Sequence, residues 1–328
     1  MTTDLETKFQ EVICHTLGAT NIRSQELIQK LWSGYGRILR LQLTGSRTKS
    51  VIVKQIQTAN HQNHPRGWNS DTSHQRKLKS YEVEHAWYQN WSHLCSAECR
   101  IPKLLASSQH HNETLLILED LDNVGFPKRL TSVSPHSFQA CLDWLANFHA
   151  TFLNTNAPDL WKTGTYWHLA TRSDELAALD DLPLKKAAPI IDQTLSSAKY
   201  QTLVHGDAKL ANFCFSLTEN KVAAVDFQYT GHGCGMKDLA YFIGSCLSET
   251  DCKKQESAIL DYYFKTFRTT LALKHPSIDP KAVESEWRHL FPFAWADFHR
   301  FLKGWSPSHW KINSYSEKIT HQVLNSLS

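Results

Sequence analysis

The sequence predicts a mixed α and β protein of two lobes, a small lobe rich in β-strands followed by a larger, mainly helical one. Three observations predict it. Short apolar runs separated by glycine-bearing turns fill the first third, helical periodicity dominates the rest, and Asp122-Asn123-Val124-Gly125 supplies turn chemistry between them. At 328 residues the chain has room for two cores, with lobes expected at 1–121 and 122–328.

The elements follow in order. Leu5, Phe9, Val12, Ile13 and Leu17 share one helical face, so an amphipathic helix over 5–17 opens the fold. The runs LIQKLW, RILRLQL and SVIVKQI, joined by Ser33-Gly34-Tyr35-Gly36 and by a Gly45-Ser46 turn, predict a three-stranded meander. Residues 57–77 are polar without apolar period and predict a long insertion, a solvated one, before a helix at 78–93. KLLAS and TLLILED then add two strands. Helical patterns cover 135–154, 174–197, 236–248, 251–273, 280–303 and 314–327, with short strands at 202–205, 213–216 and 222–227.

Composition excludes several classes. Thirty-five Lys and Arg against 32 Asp and Glu leave a formal charge of +3, too near neutral to predict nucleic-acid or membrane binding. The start, MTTDLETKFQEV, lacks a signal-peptide pattern, and no apolar run reaches the roughly 18 residues of a membrane span. Eight cysteines form no CxxC pair, so the expected setting is cytoplasmic, with reduced thiols as mostly buried filler. The 18 histidines scatter and predict no metal site.

The segment that carries chemistry is LVHGDAKLANFCFS at 203–216, followed by VAAVDFQYTGHG at 222–233. Two apolar strands bracket a loop with His205, Asp207 and Asn212, and a third ends in Asp226. Phosphoryl transfer needs such a set: one carboxylate to take the proton of an attacking hydroxyl, then an amide oxygen and a second carboxylate for Mg²⁺ on the nucleotide phosphates. Asp207 is the expected base, with Asn212 and Asp226 as metal ligands.

HGD with Asn five residues after its Asp, followed by DFQ, resembles the small-molecule branch of the protein-kinase-like superfamily, which includes choline kinases and aminoglycoside phosphotransferases. DFQ together with GHGCGMKDLAYF is most similar to the ecdysteroid-kinase-like group. The resemblance spans roughly 30–303, but its motifs are confined to about 205–242. It implies a bilobal protein-kinase-like fold, ATP and Mg²⁺ as cofactors, and a small-molecule hydroxyl as acceptor. It also implies roles upstream: Lys54 in SVIVKQI on the nucleotide phosphates, Glu84 on the next helix holding it, Gly34 and Gly36 near the phosphates, and Glu119 to Leu121 as the hinge that receives the adenine. Trp87 and Tyr88, three and four residues on, favour Glu84 over Glu82.

The departures are that the glycine turn is only GYG and that Lys209 stands two residues after Asp207, where protein kinases keep a phosphate-contacting lysine; it is a further catalytic candidate. No GxxxxGK[ST] occurs, which excludes a Walker site. The absence of APE after DFQ, with eleven residues from Asp226 to Lys237, argues against a peptide acceptor. A nucleotide-binding pseudokinase and a choline- or ethanolamine-type kinase are the alternatives. His205 and Asp238 are expected to support the loop, with Asp238 also capping its helix; Gly231, Gly233 and Gly235 should form a flexible link. Four Trp between 287 and 310 are either helical core or the lining of a pocket for a cationic acceptor.

Overall fold

The computed structural model describes residues 7–31, 34–57, 71–110 and 112–327. The chain divides into two compact units, one of residues 1–93 and 101–127, the other of residues 94–100 and 128–328. The short segment 94–100 packs with the second unit, although it lies within the stretch assigned to the first lobe from the sequence.

In the first unit α1 (Thr7–Leu17) precedes a meander of β1 (Asn21–Lys30), β2 (Gly36–Thr44) and β3 (Ser50–Gln57). Helix α2 (Asp71–Ala86) continues into a π-helical turn at Trp87–Trp91, and β4 (Leu104–His110) and β5 (Glu113–Glu119) complete an antiparallel sheet of order β1-β2-β3-β5-β4. The period of two in SVIVKQI sorts β3 between two surfaces. Val51 and Val53 join Leu39, Leu41, Leu115 and Ile117 under Phe9 and Ile13 of α1. Ile56 packs instead with Leu31, Tyr35 and Tyr81, and Lys54, two residues before it, shares that face.

Helix α2 starts seven residues earlier than the apolar period indicated. Its first turns, DTSHQRK, carry no apolar stripe, so periodicity could not see them. Arg76, Lys77 and Lys79 of the expected basic loop therefore lie on a helix: Arg76 bonds Ser73, Lys77 sits over the Tyr81 ring and Lys79 pairs with Glu82. Arg66 and the rest of the expected insertion before Asp71 lie outside the described residues.

The second unit holds α3 (Pro135–Thr151), α4 (Ser173–Ala177), α5 (Leu182–Ser196), β6 (Thr202–Val204), β7 (Phe213–Phe215), β8 (Val222–Ala224), β9 (Gly231–Gly233), α6 (Met236–Cys246), α7 (Glu249–Lys274), α8 (Pro280–Trp305) and α9 (Ser314–Ser326). Helix α3 opens with a Ser134–Ser137 capping box and Pro135 in its first turn. The single helix expected at 174–197 is two helices, because Asp181 caps Leu184 N–H and Pro183 starts a new first turn. The expected flexible link is also corrected. Gly231 and Gly233 form a strand paired with β6, and a Cβ on Gly231 would meet the Trp161 carbonyl oxygen at 2.2 Å. Gly235 lies against the Trp287 ring.

Trp287 and Trp295 are core residues of α8, 0% and 4% exposed, and Trp287 donates to the Tyr200 carbonyl. Trp305 stacks on Phe301, whereas Trp310 is 63% exposed, so the four indoles do not line one pocket together. Among the described residues no helix is long and apolar enough to cross a membrane. Of the eight cysteines five are buried.

Candidate active site

The pairing of β7 with β8 organises the second unit's site. Its register, Phe213 opposite Ala224, carries on to Val225 N–H donating to the Asn212 carbonyl at 3.0 Å, which sets Asn212 beside Asp226. Asp226 has φ +71°, a left-handed conformation that turns its carboxylate out of the strand line, and Gln228 Nε2 donates to its Oδ1 at 2.6 Å. Phe227, the middle residue of DFQ, is fully buried, its ring 4.7 Å from that of His205.

The loop from His205 to Asn212 is held from several sides. His205 Nε2 donates to the Val225 carbonyl at 3.0 Å, and its Nδ1 accepts from Asp207 N–H at 3.2 Å. Both ring nitrogens of the neutral imidazole are thereby committed, which makes His205 a brace. Gly206 has φ +80°, and a Cβ there would meet the Tyr229 carbonyl oxygen at 2.1 Å.

Asp207 is 6% exposed yet fully engaged. Tyr241 donates its hydroxyl to Oδ1 at 3.0 Å; Lys209 Nζ and Asn212 Nδ2 donate to Oδ2 at 2.9 and 3.0 Å. Asn212 Nδ2 also bonds the Asp207 carbonyl at 2.8 Å, so the amide turns its nitrogen to Asp207 and keeps Oδ1 as its remaining acceptor. Burial disfavours the Lys209 ammonium, but the Asp207 carboxylate outweighs it and holds the group above the ordinary lysine value. Burial, and then the Asp207 charge, push the Tyr241 and Tyr166 phenols up, so both remain protonated donors.

Helix α6 supplies a stripe of partners. Asp238 accepts from His205 N–H at 2.5 Å, from Gly206 N–H at 2.9 Å and from His149 Nε2 at 3.1 Å. Tyr241, one turn on, bonds Asp207, and Ser245, a further turn on, accepts from Leu210 N–H at 3.1 Å. The expected capping role of Asp238 is corrected: its two oxygens take these three donors and bond no N–H of its own helix. Sequence reasoning missed Tyr241 and Ser245. The available signal was three polar residues at 238, 241 and 245 on one face of a mostly buried and apolar helix.

It also missed Lys311. Its Nζ lies 4.8 Å from the Tyr241 ring centre, 5.5 Å from that of Phe298 and 5.6 Å from that of Trp310. Desolvation pulls this lysine down to about 8, against the attraction of the Asp207 carboxylate.

In the first unit Lys54 Nζ and Glu84 Oε2 are 2.6 Å apart, both buried, while Glu82 is exposed and pairs with Lys79. The glycines have local reasons. Gly34 has φ +77°, and a Cβ on Gly36 would meet the Gln55 carbonyl oxygen at 1.9 Å. Glu119 N–H donates to the Lys103 carbonyl at 2.9 Å, and its Oε2 accepts from Lys103 N–H at 3.2 Å. Leu121 is buried and its carbonyl accepts from Phe126 N–H. Asp120 between them accepts from Arg40 Nε at 3.0 Å and from Ser50 Oγ at 2.5 Å, and caps the 3₁₀ turn at Leu121–Val124.

These features define a protein-kinase-like fold, with an antiparallel sheet in the first unit and a mainly helical second unit. Residues 169–275 match the model of the Ecdysteroid kinase-like family, the group its motifs resemble. Among solved structures, choline kinase from Cryptosporidium parvum Iowa II aligns with a TM-score of 0.54 at 11% identity, over 98% of this chain and 95% of its own. An amicoumacin kinase in complex with AMP-PNP, Ca²⁺ and Ami aligns with a TM-score of 0.53 at 12% identity, over 98% and 93%. At such identities the likeness is one of fold. No curated protein matches the sequence.

Proposed function

We propose that the chain transfers the γ-phosphoryl group of ATP to a hydroxyl of a small molecule in the presence of Mg²⁺. The observation that carries this reading is the environment of Asp207. It is a buried carboxylate fixed by three donors, with the amide oxygen of Asn212 and the carboxylate of Asp226 one strand pairing away.

In this reading Asp207 orients the acceptor hydroxyl and takes its proton as the phosphoryl group leaves ATP. Tyr241 and Lys209 fix the carboxylate in one rotamer, so little reorganisation accompanies the transfer. Lys209 points at Asp207 rather than away from it, so its role is to hold the base and supply local positive charge. Asn212 Oδ1 and the Asp226 carboxylate are hard oxygen donors, the kind Mg²⁺ prefers, and would hold it. When bound, Mg²⁺ neutralises charge on the β- and γ-phosphates. Lys54, held extended by Glu84, would neutralise nucleotide phosphates. Gly34 and Gly36 would lie near those phosphates, and the backbone of Glu119 to Leu121 would receive the adenine. The roles divide the chain into a nucleotide-binding lobe, 1–121, and a catalytic, acceptor-binding lobe, 122–328.

The test needs no known acceptor. Purified protein should hydrolyse ATP slowly with Mg²⁺, and the rate should fall by about two decades or more in Asp207→Ala and in Asp226→Ala. Mg-ATP should raise the melting temperature of the wild type and of Asp207→Ala, but not of Asp226→Ala. Tight Mg-ATP binding with no hydrolysis, and no transfer to a broad library of alcohols, would favour a regulatory pseudokinase instead.

A further inference from the structure

Lys311 is a cation in surroundings built for one. The rings of Tyr241, Phe298 and Trp310 stand 4.8, 5.5 and 5.6 Å from its ammonium, the distance at which ring quadrupoles attract positive charge. Among the described residues no ion pair or hydrogen bond holds that ammonium. The nearby carboxylate, Asp207, has its own counter-ion in Lys209 at 2.9 Å and its other oxygen taken by Tyr241. Lys311 is therefore not needed to balance the base. Tyr241 joins the two: its hydroxyl meets Asp207 and its ring meets Lys311, which sets the ammonium one side chain from the group that would handle the acceptor.

We propose that Lys311 is a specificity-determining residue of the acceptor site: by filling an aromatic cage beside Asp207 it turns away cationic amino alcohols and admits alcohols that are uncharged or anionic. This rests on the reading of Asp207 as the phosphotransfer base. An aromatic cage attracts a quaternary ammonium only while it is empty of charge. A second cation brought to the same rings meets the field of Lys311 and loses the faces it would use. The three N–H bonds of Lys311 Nζ can instead donate to an oxygen of the acceptor, and a donor placed for one class of substrate discriminates strongly against another.

The probe is tetramethylammonium chloride, titrated by calorimetry at pH 7 and constant ionic strength, without nucleotide. The wild type should show no binding at millimolar concentrations. Lys311→Ala, which empties the cage, should bind at least about tenfold more tightly than the wild type. Lys311→Met, which refills it without charge, should not gain that affinity. Thermal melting of each variant identifies the folded ones, and Lys311→Ser replaces the alanine variant should that one not fold. Binding of tetramethylammonium or choline by the wild type at millimolar concentrations or below would overturn the inference, and that arm needs no variant. So would a folded Lys311→Ala or Lys311→Ser that binds none. Failure of the phosphotransfer reading is distinguishable, because it would appear as absent ATP hydrolysis with the tetramethylammonium results unchanged.

Discussion

Removing the carboxylate of Asp238 should destabilise the second unit more than any single loss of a surface charge. In Asp238→Ala three buried donors lose their acceptor together: His205 N–H at 2.5 Å, Gly206 N–H at 2.9 Å and His149 Nε2 at 3.1 Å. Because a carboxylate only accepts, Nε2 of His149 carries a hydrogen, and Nδ1 is hydrogen-bonded to the Tyr263 hydroxyl at 2.7 Å, so the imidazole cannot turn to another partner without breaking that bond. Each buried donor left unpaired costs about 1–3 kcal/mol. Three such costs add to about 3–9 kcal/mol, and water entering the space left by the side chain offsets part of it, giving about 3–5 kcal/mol. That is a large share of the roughly 5–15 kcal/mol that holds a domain together. Urea unfolding followed by far-UV circular dichroism measures it. Asp238→Asn keeps the shape and one acceptor oxygen but faces a donor with a donor, so its cost should fall between wild type and alanine. A loss below about 1 kcal/mol in Asp238→Ala would refute the reasoning.

Three further outcomes follow from the geometry. Lys54→Met leaves Glu84 charged and buried, at a cost of about 3–5 kcal/mol, whereas Lys54→Met with Glu84→Gln should recover most of it; urea midpoints for both variants measure the difference. Gly231→Ala should cost about 1–3 kcal/mol, because its Cβ would lie 2.2 Å from the Trp161 carbonyl oxygen, and a melting temperature equal to wild type would mean the segment yields freely. Lys311 sits at about 8 in the folded protein, below its unfolded value, so between those two pH values the unfolded chain binds more protons. Its contribution makes stability rise with pH from about 8 upward and is absent well below 8. Unfolding curves at pH 7 and pH 9.5 should show that rise shrinking in Lys311→Met.

What the sequence made legible was local. Glycine turns and alternating apolar residues marked the meander, and strict spacing marked Asp207, Asn212 and Asp226. The start of α2 was hidden because DTSHQRK has no apolar face. The break between α4 and α5 could be read from Asp181 and Pro183, a capping residue and a first-turn proline inside a stretch that apolar periodicity joined. The strand at Gly231–Gly233 resisted reading because Gly231 answers to Trp161, some seventy residues away. Tyr241 and Lys311 belong to the same class. Each matters through partners that only tertiary packing supplies, and a motif search has no term for that.

The stripe on α6 has an evolutionary consequence. Asp238, Tyr241 and Ser245 lie within seven helical steps, about 10.5 Å of helix axis, and they meet a loop that runs beside them from His205 to Leu210. Loop and helix are therefore matched lengthwise, like a rack against its pinion. Substitutions on the outer faces of α7 or α9 leave that match alone. One inserted or deleted residue within 238–245 rotates every later tooth by about 100°, so Tyr241 or Ser245 would face away from its partner. Relatives of this chain should differ freely in the lengths of the segments around α6, and hold its length from Asp238 to Ser245 constant.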